Sequence, residues 1–192
     1  MNNGRLGMQE GVLMPTEMAI NRLALMSRLT STHPLGRTAI MKLLFFLQEF
    51  KGIALDYQFS LYSYGPFDSE VLADIATGER IGVVKSTPVF YNSGHGFQYS
   101  RDAKAERLEE IANEFLQQYS EEIDWCLQCF GAKSASELEL LSTLFFVAKF
   151  HKLKDVDQLI EQVKLIKPHF SKEQIRSGFN ELVGFNVLRV AA

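Results

Sequence analysis

Two cysteines and four histidines are the residues whose side chains could support redox or metal chemistry. Cys126 and Cys129 have the spacing of a thiol redox pair, but acidic residues precede them within a predicted helix. Acidic neighbours raise the pKa of a thiol instead of lowering it, which disfavours a reactive thiolate. A zinc site needs further cysteine or histidine ligands nearby, and the histidines fall in four separate segments. The sequence therefore predicts a protein that is not an enzyme and uses no metal or cofactor.

A line of basic and amide side chains on the last predicted helix is a candidate for nucleic-acid binding. Lys172, Arg176 and Asn180 lie one turn apart, opposite a stripe of apolar residues. Arg and Asn side chains suit the edges of guanine and adenine, respectively. Just upstream, Lys164 and Lys167 could contact backbone phosphates. The same pattern also fits a solvated helix face, so DNA binding through these residues is an alternative function.

Aromatic residues are concentrated between positions 57 and 67, where they alternate with polar ones as in a strand. Both faces of this strand carry aromatic side chains, and both cannot be core in a small domain with one sheet. On the preceding helix, Phe45 and Phe46 lie within one turn of Lys42 and Glu49, which mark its polar stripe. At least one of these two rings is therefore predicted near the surface. Because Tyr and Phe are enriched at interfaces, a protein partner is expected. The predicted partner-binding residues are Tyr62, Tyr64, Gly65, Pro66, Phe67 and Phe46.

Composition narrows the class of protein. The chain has 192 residues, of which 46% are hydrophobic, so it can bury a substantial core. Its formal net charge of −3 excludes a general nucleic-acid coat. The longest apolar runs are far shorter than the roughly 20 residues that a membrane span needs, so no membrane partnership is expected. With no signal-peptide pattern, a cytoplasmic protein is predicted, and a homodimer is compatible with the sequence.

The first half of the chain has the element order of a winged helix. Asp68 is a predicted helix cap, and Gly65-Pro66 is a predicted turn. On the helix that follows, Glu70 and Asp74 are predicted to form an outward acidic stripe. A flexible leader is predicted over 1–14, and a winged-helix-like module over 15–101. The predicted elements of this module are helices over 17–30, 38–50 and 68–78, a strand over 57–64, and a β-hairpin with strands over 83–91 and 97–100 around a turn at 92–96.

A helical spacer over 102–132 and a second module over 133–192 are predicted to follow. Two capping boxes, Ser136-x-x-Glu139 and Ser171-x-x-Gln174, mark helix starts, and Asp155 marks another. The left-handed residue that closes the last helix is predicted to be Gly184, before a short strand over 187–190. This second module is helix-turn-helix-like and ends before a full wing. The fold class is therefore mainly α with a small β component (α+β).

Short motifs in this chain resemble those of two known families. Lys42-Leu43-Leu44-Phe45-Phe46, followed by an aromatic strand and Tyr64-Gly65-Pro66-Phe67, resembles the Panacea or SocA-like antitoxin domain over residues 17–80. The whole chain is similar to YwgA-like bacterial and archaeal proteins, through Gly36-Arg37-Thr38 and Lys167-Pro168-His169-Phe170-Ser171. The resemblance implies a prokaryotic regulator that binds and controls another macromolecule, as an antitoxin or a phage-defence accessory. The alternative is a winged-helix transcriptional regulator that binds DNA.

Overall fold

The structure, a computed structural model, describes residues 15–91, 94–151 and 155–189. The leader predicted over 1–14 lies outside these ranges. The fold is mainly helical with a small antiparallel sheet, as the α+β prediction requires. In chain order the elements are α1 (Pro15–Leu29), β1 (Leu35–Gly36), α2 (Arg37–Glu49), β2 (Ser60–Tyr62), β3 (Gly65–Phe67), α3 (Ser69–Ile81), β4 (Val84–Tyr91), β5 (Gly94–Arg101), α4 (Ala105–Ile111), α5 (Asn113–Gln118), α6 (Ser120–Phe130), α7 (Ala135–Phe150), α8 (Val156–Ile166) and α9 (Lys172–Gly184).

The larger sheet is antiparallel and has the strand order β1-β5-β4. Strands β4 and β5 pair from Val84 opposite Arg101 to Tyr91 opposite Gly94, which confirms the predicted β-hairpin. The turn predicted over 92–96 is too long, because residues 94–96 already belong to β5. Residues 92–93 lie outside the described part of the chain. Strand β1 lies on the other side of β5, where Leu35 pairs with Tyr99.

The second sheet is a two-stranded ribbon of β2 and β3, and it differs from the prediction. The strand predicted over 57–64 is regular only over Ser60–Tyr62, and the turn falls at Ser63 and Tyr64. Gly65-Pro66, predicted as the turn, instead begins β3, where Pro66 lies opposite Leu61. Proline is tolerated there because a two-stranded ribbon has free edges that do not require its missing N–H.

One hydrophobic core joins the two halves of the chain. Helix α2 is buried at every position from Ala39 to Leu47, and it packs against both α6 and α7. The Phe46 ring stacks on Phe130 of α6 at a centroid distance of 4.1 Å, and the Phe45 ring lies 5.8 Å from Phe145 of α7. A helix that is apolar all round is buried on all sides. The modules predicted over 15–101 and 133–192 therefore share this core.

Most predicted helix starts are confirmed, and one is displaced by two residues. Asp68, Asp155 and Ser171 cap their helices through side-chain oxygens that accept backbone N–H groups. Helix α7 begins at Ala135, because Ser134 forms the capping box with Glu137. The predicted box at positions 136 and 139 is wrong. Ser134/Glu137 and Ser136/Glu139 both have the spacing of a capping box, but the Glu139 side chain is buried in the core and does not cap the helix.

The C-terminal end of α9 also differs from the prediction. Gly184 is the last residue of the helix, and the left-handed residue is Asn186, with φ at 59°. The Val187 N–H donates to the Leu182 carbonyl at 2.8 Å and closes the helix end. This closure uses backbone groups that a strand would need, and residues 187–189 do not form the strand that was predicted over 187–190. Val190 lies outside the described residues.

Candidate functional site

The β2–β3 hairpin, residues 60–67, lies directly on α7 and is called the docking hairpin below. Gly65 adopts φ +85°, a left-handed conformation that glycine takes without steric cost. A Cβ atom at this position would lie 3.0 Å from Thr143 Oγ1 and 3.1 Å from Ser142 Oγ. The close approach of the hairpin backbone to the helix therefore requires glycine for both conformation and space.

Two buried lysines hold the docking hairpin by its backbone carbonyls. Lys42 of α2 donates from Nζ to the Pro66 carbonyl at 2.6 Å. Lys167, just after α8, donates to the Ser63 carbonyl and lies 3.4 Å from the Tyr62 carbonyl. Each lysine is only 2% exposed. Because both strands and the turn are fixed in this way, the hairpin is anchored at two points by elements distant in sequence.

A single buried carboxylate accompanies these two ammonium groups. Glu139 of α7 is 7% exposed, and its Oε1 atom lies 2.8 Å from Lys167 Nζ and 3.5 Å from His169 Nε2. This oxygen accepts no well-aligned hydrogen bond from the described residues, so the contact with Lys167 is an ion pair. Burial, reinforced by the charge of Lys167 and opposed by Glu139, lowers the pKa of Lys42 to about 8. The cluster of Lys42, Lys167 and Glu139 thus carries an excess of positive charge.

Above this cluster, the tip of the docking hairpin exposes two aromatic rings. Tyr62 is 62% exposed and Tyr64 is 73% exposed. Phe67 is half-buried and packs beside Tyr62, with ring centroids 5.3 Å apart. Gly65 and Pro66 are buried and face the protein. Of the predicted partner-binding set, the structure thus leaves the two tyrosines most accessible.

Phe46 does not belong to this surface, and its predicted place near the surface is wrong. Phe45 and Phe46 are both fully buried. The prediction relied on Lys42 as a marker of the solvent-facing side of α2, whereas the Lys42 side chain points inward to the Pro66 carbonyl. The face that it marks is covered by the docking hairpin, so Phe46 cannot contact a partner at the surface of the folded chain.

The residues of the alternative DNA site do not form a line of accessible cations. Lys167 is buried beneath the docking hairpin, so its predicted contact with phosphate is wrong. Lys164 donates to the carbonyls of Pro168 and Phe170, both at 2.7 Å. It thereby stabilises the loop between α8 and α9. Asn180 is exposed on α9.

The two remaining cations of this set, on α9, are paired with acidic residues of α8. Lys172 forms an ion pair with Glu161, and Arg176 Nη2 lies 2.5 Å from Asp157 Oδ1. All four side chains are well exposed, so each pair contributes little to stability. The pairing nevertheless reduces the positive charge that this helix presents to a polyanion.

A second buried cluster, centred on Arg22 of α1, was not predicted. Arg22 Nη1 lies 2.6 Å from Glu70 Oε1 and 3.8 Å from Asp74 Oδ2. The Tyr57 hydroxyl donates to the same oxygen of Asp74 at 2.7 Å. Burial raises the pKa of Asp74 despite these partners. Both residues of the predicted acidic stripe on α3 therefore contact Arg22. The outward position predicted for Asp74 is wrong, because its side chain is mostly buried, whereas Glu70 remains exposed. The sequence signal for this cluster is Arg22, a charged residue within an apolar run.

The cysteine pair lies inside the fold. Cys126 is fully buried, and burial raises the pKa of its thiol well above the ordinary value. Burial also raises the pKa of the half-buried Cys129 thiol, although Lys51 opposes the shift. Within the described ranges, no three or more His, Cys, Asp or Glu side chains come together as a metal site would require. Nor does any described helix combine the length and apolarity needed to cross a bilayer.

No protein-family model matches this chain, and no curated protein is significantly similar to it in sequence.

Proposed function

We propose that this protein is a non-enzymatic cytoplasmic regulator that binds a protein partner through the tip of the docking hairpin. The observation that supports it best is the pair of exposed tyrosines, Tyr62 and Tyr64, on a backbone anchored by two buried lysines. Tyrosine is enriched at binding hot spots because its ring is large and its hydroxyl is polar. A rigid hairpin that presents such rings loses little conformational entropy on binding, which favours affinity.

A winged-helix arrangement of residues 15–101 is part of this proposal. The order α1, β1, α2, α3, β4, β5, with the docking hairpin inserted between α2 and α3, supports it, as does the central position of β5 between β1 and β4. The antitoxin-like or phage-defence role is supported by the resemblance described above, because Lys42, Gly65 and Pro66 of the shared motifs lie together at the docking hairpin. DNA binding is the less favoured alternative, since Lys167 is buried and Lys172 and Arg176 are ion-paired.

Affinity capture with matched variants tests the proposal. The bait is the purified protein in a lysate of its source organism, beside the double variant Tyr62→Ala/Tyr64→Ala. Phe90→Ala is the control, because Phe90 on β4 is an aromatic residue even more exposed than the two tyrosines (84%) and lies outside the docking hairpin. We expect the wild type and the control to retain one protein from the lysate that the double variant does not retain. The same partner, once purified, should bind the wild type directly. Loss of about tenfold or more in affinity is expected for the double variant.

The same preparations separate this function from the alternative. Thermal melts of all three proteins must agree closely, because an unfolded bait also loses its partner. A gel shift with duplex DNA at low salt is run in parallel. Binding of DNA that is unaffected by the tyrosine substitutions but lost in Lys172→Gln/Arg176→Gln would reject the protein-partner proposal in favour of a DNA-binding regulator.

A further inference from the structure

The buried cluster of Lys42, Lys167 and Glu139 beneath the docking hairpin has a formal charge opposite in sign to that of the chain as a whole. The chain carries a net charge of −3, whereas the buried cluster contains two ammonium groups, Lys42 and Lys167, and the single carboxylate of Glu139, which is paired with Lys167. Buried charges are weakly screened, and their field extends further than that of exposed ones.

One cation of this cluster lies below the accessible part of the hairpin, and the other lies below Pro66. Lys167 Nζ contacts the backbone carbonyls of Tyr62 and Ser63, so it lies one peptide unit beneath the exposed rings. His169, which is 56% exposed, borders the cluster through its 3.5 Å contact with Glu139. The tyrosine hydroxyls add hydrogen-bond donors at the surface. Field and donors both favour a ligand with negative charge.

Resting on the proposed function, we infer that the docking hairpin binds an acidic segment of the protein partner, with Tyr62 and Tyr64 as aromatic contacts above a buried positive cluster. Carboxylates of such a segment accept hydrogen bonds from the tyrosine hydroxyls, and its apolar residues pack on the rings. The buried lysines contribute through their field and not through direct contact, because their Nζ atoms are engaged by backbone carbonyls.

A nucleic acid fits this surface less well than an acidic peptide. Binding a phosphate backbone requires several lysines or arginines that can reach successive phosphates. Here Lys42 and Lys167 are buried, and the exposed cations Lys172 and Arg176 on α9 are paired with acidic side chains. A protein segment needs only one or two carboxylates near the tip and apolar side chains for the rings.

The test uses a short synthetic peptide in which Glu alternates with Leu, and a matched peptide with Gln in place of Glu. Fluorescence anisotropy measures binding of each labelled peptide to the wild-type protein. We expect the Glu peptide to bind about tenfold more tightly, and its affinity to fall several-fold between about 0.05 and 0.2 M salt. Equal binding of the two peptides, or no binding of the Glu peptide at about 1 mM protein, would overturn the inference.

Four variants locate the binding site. Tyr62→Phe/Tyr64→Phe keeps the rings and removes the hydroxyl donors, so binding of the Glu peptide should weaken with the fold unchanged. His169→Glu should weaken it about two- to fivefold by placing a negative charge beside the tip. Tyr62→Ala/Tyr64→Ala should abolish it, and Phe90→Ala should leave it unaltered. Duplex DNA that competes with the Glu peptide for the tyrosines would favour a nucleic-acid ligand and reject the acidic segment.

These results separate the inference from the proposed function. If a captured partner depends on the tyrosines but is insensitive to salt and to His169→Glu, the acidic-segment inference fails while the regulatory function stands. If neither the partner nor the Glu peptide depends on the tyrosines, both fail.

Discussion

Replacing Lys167 with methionine should destabilise the protein strongly. Methionine fills a similar volume but removes the cation that lies 2.8 Å from Glu139 Oε1. It also removes the donor to the Ser63 carbonyl. Breaking a buried ion pair by removing one partner costs about 3–5 kcal/mol, because an uncompensated charge remains buried. We expect a loss of about 4 kcal/mol in the free energy of unfolding.

Urea denaturation of a double-mutant cycle measures this contribution. Glu139→Leu removes the buried carboxylate, and the combined variant Lys167→Met/Glu139→Leu removes both charges. Replacement of a whole buried pair by apolar residues is often nearly neutral, so the combined variant should be more stable than Lys167→Met alone by about 2 kcal/mol or more. A loss below about 1 kcal/mol in Lys167→Met, the value of an exposed pair, would refute the argument that this cluster anchors the hairpin.

Three further results are expected from denaturation experiments. The pKa of Lys42 is about 8 in the folded chain and 10.5 in the unfolded chain, so the unfolded chain binds more protons between these two pH values. The free energy of unfolding of the wild type, relative to that of Lys42→Met, should therefore rise by about 3 kcal/mol from pH 8 to pH 10.5. A difference that does not change with pH would contradict the burial of Lys42. Gly65→Ala should cost more than Gly52→Ala, because both positions have positive φ but only Gly65 would clash with Thr143, at 3.0 Å; equal losses would show that packing on α7 is irrelevant. Phe46→Ala should cost about 3–5 kcal/mol, in keeping with its full burial, and a loss under 1 kcal/mol would place the ring at the surface after all.

Local signals in the sequence predicted most elements of the fold. The caps at Asp68, Asp155 and Ser171 were found because a side-chain acceptor at the start of an apolar period has a specific physical role. The β4–β5 hairpin was found because glycine-rich turns and alternating strands are short-range features. The start of α7 was displaced because two serines satisfied the same pattern, and only the burial of Glu139 decides between them.

The candidate site was predicted in part, since its accessible half lies in one stretch of sequence. Tyr62 and Tyr64 were found from alternation and aromatic excess. The other half could not be found, because Lys42, Glu139 and Lys167 come from three distant segments. A lysine within a helix usually marks the solvent side, and that rule, applied to Lys42, assigned Phe46 to the surface. Lys167 was assigned to the surface because it precedes the basic line of Lys172, Arg176 and Asn180. The one local signal was Lys42, a charged residue within a long apolar run, which indicates a buried side chain with a polar partner but does not identify that partner.

Several residues of the motifs on which the proposed resemblance rests hold the docking hairpin in place. Lys42 meets the Pro66 carbonyl at 2.6 Å, and Gly65 gives the backbone the conformation that brings it onto α7. These residues are buried, so they determine how rigidly the tip is held. The tip itself is formed by Tyr62 and Tyr64, whose rings face solvent. The motif residues thus fix the conformation and position of the docking hairpin. Under the proposed function, the choice of partner would depend on the few exposed residues between β2 and β3.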